Sequence, residues 1–126
     1  MEKANLFAAW IGILLGFLVG AVQGLFFHSE DWLGGYTSWR RRMLRLGHIS
    51  FFGIAFVNLS FVVAISYLRI ERVYPLCSVL LVVGAIAMPL VCYLSAYKKV
   101  FRHLFFIPVA SLIIATALFV FGGLLQ

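Results

Sequence analysis

Apolar residues run along the chain in four long blocks, separated by short connections that hold almost all of the charge. The first block, 5–27, is 23 residues without a charged side chain. As a helix it would be roughly 34 Å long, enough to cross a hydrocarbon core of about 30 Å. Blocks 44–68, 75–96 and 104–125 repeat the pattern. It predicts an all-α integral membrane protein, four antiparallel transmembrane helices in one domain over 1–126. No small-x-small cleavage site closes the first block, which therefore reads as a span and not a signal peptide.

The connections refine the picture. Trp32, Tyr36 and Trp39 have amphipathic rings that suit the headgroup region, and Gly34-Gly35 interrupts the segment between them. Arg40, Arg41, Arg42 and Arg45 then lead into the second span and read as a topology and lipid anchor. Pro75 suits the first turn of the third helix. The first and third connections carry seven Lys and Arg, whereas the N-terminus and second connection carry three. By the positive-inside rule the first group faces the cytoplasm and both termini lie outside. Composition agrees: 64% of residues are hydrophobic, 11% are charged and mean hydropathy is +1.09, which excludes a water-soluble domain. In this setting the net charge of +6 points to anionic lipid, not to nucleic acid.

Gly12, Gly16, Gly20 and Gly24 recur every four residues, with Ala8 extending the series, so one face of the first helix lacks side chains. That is a packing face, within the bundle or between protomers. Gln23 and Asn58 are intramembrane amides that need hydrogen-bonding partners on other helices. Pro89 deprives the carbonyl of Ala85 of its helical donor. Cys77 and Cys92 stand roughly 22 Å apart on one helix, too far to pair within the chain.

The candidate chemistry lies at one membrane level. In the expected topology His28 ends the first span, His48 begins the second and His103 begins the fourth. Cys92 lies just below the same face, with Met88 one turn deeper and level with Asn58. His48 and His103, supplemented by Cys92, Met88 or His28, are candidate ligands for one haem iron or copper ion. No span contains a carboxylate, and neither a Cys-x-x-Cys, a phosphate loop nor a Ser-His-Asp set is present. Autonomous catalysis is not expected.

The blocks Arg45-Leu-Gly-His48, Met88-Pro-Leu-Val-Cys92 and Arg102-His103-Leu-Phe resemble recurring features of short four-span bacterial inner-membrane proteins. The resemblance implies that location and carries no activity. Three readings follow. The first is an accessory or cofactor-holding subunit of a larger, respiratory or electron-transfer membrane complex, contacting its partners through the glycine face or the Phe-rich fourth span. The second is a homo-oligomeric channel or transporter lined by Gln23, Asn58, Ser66 and Thr116. The third is a metal-handling assembly factor that holds copper near Cys92 and Met88.

Overall fold

The computed structural model describes residues 2–70 and 75–125. The expectations for Glu71, Arg72 and Tyr74 in the second connection lie outside the described residues. Four helical segments are long and apolar enough to cross a membrane. They are built on α1 (Glu2–Phe27), α2 (Trp39–Leu68), α3 (Pro75–Tyr97) and α4 (Phe106–Phe119). The last is entered through a 3-10 stretch, Lys99–Phe105, and left through a π-helical turn, Val120–Leu124. The chain is an all-α, multi-pass membrane protein whose apolar outer surface is suited to contact with lipid.

α2 begins at Trp39, five residues before the apolar block that announces it. Ser38 is the reason: its backbone is extended and its side-chain oxygen accepts a hydrogen bond from the Arg41 amide at 3.2 Å, satisfying one of the free N–H groups of the first turn. The arginines therefore ride on the helix instead of preceding it. Before the cap, Gly34 and Gly35 take φ of 88° and 91°, a left-handed region open to glycine at little steric cost. The turn folds Trp32 back onto the end of α1, stacked on Phe26 at 5.3 Å and edge-on to Phe27 at 5.5 Å.

The helices approach one another at glycines. A Cβ placed on Gly12 would stand 3.1 Å from Ala55 Cβ, on Gly16 2.7 Å from Phe52 Cζ, and on Gly20 2.5 Å from His48 Nε2. These three positions form the notch into which α2 settles. Gly24 meets nothing within 4 Å. The difference is geometric: four residues exceed one α-helical turn by roughly 40°, so a ladder of every fourth residue winds away from a fixed neighbour. At the other end of the ladder Ala8 has turned aside and Ala9, only 1% exposed, faces inward in its place. Gly47 does the same work between α2 and α3, with Tyr93 Cε2 and Cys92 Cβ at 3.0 and 3.1 Å from its would-be Cβ. Gly84 admits Leu112 of α4.

Away from the arginines, Phe61 and Ile65 of α2, Cys77 and Leu81 of α3 and Ala115 of α4 form the apolar core, with Phe119 edge-on to Phe61 at 5.0 Å. Cys77 and Cys92 are both free thiols and both buried. α3 continues through Pro89 as a single helix.

The notch makes opposite demands at two glycines one turn apart. Gly20→Leu should destabilise the folded protein by about 1–3 kcal/mol through overpacking against His48. Gly24→Leu should leave stability unchanged or raise it by up to about 0.8 kcal/mol, the helix-propensity gain over glycine. Denaturant titration of the two variants in mixed micelles, followed by circular dichroism, measures the difference.

Candidate functional site

The intramembrane polar groups gather at two levels. At the end of the bundle where α1 and α3 begin, Asn5, Asn58 and Ser78 form one network across three helices. Asn5 Nδ2 donates to Asn58 Oδ1 at 2.8 Å and to the Ser78 carbonyl at 3.3 Å. The Ser78 hydroxyl donates back to Asn5 Oδ1. Asn58 Nδ2 donates to the carbonyls of Ile54 and Leu81, at 3.0 and 3.3 Å. Both asparagines are completely buried. In hydrocarbon an unpaired amide is costly, and here the Asn5 amide donates to Asn58 and the Asn58 amide to backbone carbonyls, tying α1, α2 and α3 together. Asn58 thus lies opposite Ser78 and Leu81, not level with Met88 as the expected span bounds imply. α2 starts earlier than its apolar block, so Asn58 sits nearer its far end.

At the opposite, basic end, Gln23 Nε2 donates to the Tyr93 hydroxyl at 2.9 Å, with the Leu44 carbonyl at 3.5 Å. Arg41 is not a headgroup anchor: it is 3% exposed. Its Nη2 donates to the Phe27 carbonyl at 3.2 Å, and its Nη1 to the carbonyls of Ser29 and Glu30 at 3.3 and 3.2 Å. The guanidinium carbon lies 5.0 Å from the Phe27 ring centre and 5.7 Å from that of Trp32. A cation at the C-terminus of α1 complements the negative end of the helix dipole, and the fork supplies donors to the last carbonyl of that helix and to two carbonyls of the turn beyond it. Arg45 closes the same connection from outside, donating to the Tyr36 carbonyl at 2.9 Å with its guanidinium carbon 4.1 Å from the ring centre. Arg40 and Arg42 are exposed. Among the described residues, Gln23 Oε1, Arg41 Nε and Ser95 Oγ are buried without a hydrogen-bond partner.

The candidate metal ligands are distributed differently. His48 is half-buried in the glycine notch of α1, its Nε2 3.0 Å from the Gly16 carbonyl. A carbonyl accepts, so Nε2 carries the proton and the hydrogen bond occupies the nitrogen that faces α1. The ring lies edge-on to Phe52 at 5.5 Å. His103 is exposed in the 3-10 stretch before α4, and His28 is exposed in the turn after α1. Cys92 is completely buried on α3 beside Gly47, and Met88 is half-buried one turn away. Among the described residues, no three His, Cys, Asp or Glu side chains form a group able to hold a metal ion. Nor do the histidines share one level: His48 lies nine residues inside α2, against Gly16 and Gly20, whereas His28 lies beyond the end of α1 and His103 in the 3-10 stretch before α4.

Of the residues considered for a conduction path, two are engaged inside the bundle and two lie on its surface. Asn58 is sealed in its network and Gln23 is held by Tyr93. Ser66 is exposed, as is Thr116, whose hydroxyl donates at 2.7 Å to the Leu112 carbonyl of its own helix. The concave feature of the bundle lies elsewhere, as a furrow of about 570 Å³ between α1 and α3. Ala4, Ala8 and Gly12 form one wall, Ala85 and Pro89 the other, and Phe51 the floor. A second hollow of about 350 Å³, bordered by Leu18, Val22 and Trp32, shares Tyr93 with the first.

Asn5, Ser78, Tyr93 and Ser95 carry contacts between helices that the sequence alone did not bring forward. A periodic signal does exist for Asn5. It stands seven residues before Gly12, and the buried positions Ala9, Gly16 and Gln23 follow at the same interval, placing both amides on the notched face of α1.

Two sets of variants test the polar clusters. A double-mutant cycle of Asn5→Leu and Asn58→Leu should give a coupling of about 1 kcal/mol, within the range of hydrogen bonds between membrane helices. Arg41→Gln should lower stability by about 2–3 kcal/mol, the worth of charge-assisted hydrogen bonds from a buried guanidinium to backbone carbonyls. Arg40→Gln, on the exposed side of the same turn, should change it by less than about 0.5 kcal/mol. Denaturant titration in micelles reads all four variants.

No protein-family model matches the chain, and neither a curated protein nor a solved structure is similar to it.

Proposed function

We propose that the chain is a non-catalytic accessory subunit of a larger complex in a bacterial inner membrane. Its basic end faces the cytoplasm and its termini face outward. A transmembrane helix of a partner subunit docks in the furrow between α1 and α3. The supporting observation is the furrow itself: small residues on both walls, at Ala4, Ala8, Gly12 and Ala85, on a bundle whose buried amides are engaged inside it. In a bilayer, apolar surface alone gives helices no reason to associate, and small residues allow the close backbone approach that does. The rest of α1 and α4 turns large side chains such as Phe7, Phe17, Phe106 and Phe121 outward, as expected of surfaces that meet lipid chains. The engaged amides of Asn58 and Gln23 weigh against a channel.

Photo-crosslinking in the native membrane tests the reading. A crosslinker at Ile86, on the furrow, should capture one defined membrane protein other than this chain; one at Ile113, on the outer face of α4, should capture none. Ala85→Trp, which fills the furrow, should abolish the adduct and shift the complex to a smaller size on a native gel. Adducts with lipid alone, or with a second copy of this chain alone, would overturn the proposal.

A further inference from the structure

At the basic end, two cations from separate elements converge on one indole. The Arg42 guanidinium carbon, from the first turn of α2, lies 5.9 Å from the centre of the Trp39 ring. The Lys99 ammonium, from the start of the 3-10 stretch, lies 5.1 Å from the same centre. The ring is fixed, because Trp39 Nε1 donates to the Ser95 carbonyl in the last turn of α3 at 2.8 Å. Arg42 and Lys99 have no acidic partner among the described residues. The positive end of α2 adds charge of the same sign. Two other arginines of this region are engaged, Arg41 on the end of α1 and Arg45 on Tyr36. Arg42 and Lys99 are drawn to the same aromatic ring, and like charges so placed repel.

We propose that Arg42 and Lys99, both placed against Trp39, form a site for the phosphate of an anionic phospholipid headgroup. An anion between them removes the repulsion. The planar guanidinium matches two phosphate oxygens at once, and the ammonium supplies a point charge to a third. Location selects the lipid over a soluble phosphate. Trp39 is an amphipathic ring that settles at headgroup depth, and the exposed apolar side chains Val100 and Phe106 beyond Lys99 offer a surface for the acyl chains. The inference is independent of the proposed partner, since the site lies on α2 and the α3–α4 connection, away from the residues that line the furrow.

The test uses the intact protein purified in mild detergent, exposed to equal amounts of phosphatidylglycerol and phosphatidylethanolamine, with bound lipid counted by native mass spectrometry. Wild type should retain one phosphatidylglycerol with a preference of roughly thirtyfold, as expected for two cations near an anionic headgroup. In Arg42→Gln/Lys99→Gln that preference should fall to within about twofold of parity. Arg40→Gln/Arg102→Gln removes the same charge from exposed positions outside the pair and should keep it. Equal loss in both double variants would mean that net charge alone attracts lipid, which overturns the site. Displacement of the lipid by millimolar inorganic phosphate would make the ligand a soluble anion, which overturns the lipid assignment. Circular dichroism of each variant separates loss of the site from loss of the fold.

Discussion

The bundle depends on how deeply α2 settles into α1. At Gly20 there is no side chain, and the imidazole of His48 takes the space that a Cβ would fill, with Nε2 donating to the carbonyl of Gly16 one turn away. Phe52 and Ala55 continue the contact against Gly16 and Gly12. An interdigitated seam of this kind admits one register, because a slip by one residue would drive a ring into backbone. Everything polar in α1 inherits its position from that register. Asn5 arrives opposite Asn58, Gln23 arrives beside Tyr93, and the last carbonyl of α1 arrives in front of the Arg41 fork. His48 is therefore a packing residue that also carries a hydrogen bond, and its imidazole is directed into the protein.

The two ends of the molecule are secured by different chemistry. Where α1 and α3 begin, neutral amides and a hydroxyl satisfy one another in a closed set that needs no counter-ion. Where α2 begins, aromatic rings and guanidinium groups share the work, with Arg41 inside and Arg42 outside the same helical turn. The division follows depth and charge. An amide can be desolvated at tolerable cost once it is paired, whereas a guanidinium is retained in the interior by carbonyls at a helix end and by aromatic faces.

Much of this was legible in the chain, and the part that was not has a common cause. Uncharged runs announced four helices, because length and apolarity alone decide what can span a bilayer. They misplaced the start of α2, because long cationic side chains let a helix extend beyond its apolar stretch and Ser38, not the first leucine, sets the boundary. The repeat at Gly12, Gly16 and Gly20 marked a contact face, and the slow rotation of a four-residue ladder explains why Gly24 lies outside it. The histidines show the limit best. Their expected common level rested on where α2 starts, and with that start at Trp39 His48 lies nine residues inside the helix; whether two residues of equal depth meet depends besides on the rotation of each helix about its own axis. That rotation is set by side chains elsewhere, such as Gly47 against Tyr93 or Gly84 against Leu112. Asn5 and Ser78 became partners by the same route, through rotations that no single helix specifies.

The glycine notches occur between α1 and α2, between α2 and α3, and between α3 and α4, so each helix fits the one that precedes it in the chain. A protein threaded into a bilayer from its N-terminus presents its helices in that same sequence. Every new span finds a matching surface already waiting beside it, and the architecture can close stepwise as synthesis proceeds, with no earlier pair needing to separate to admit a later one.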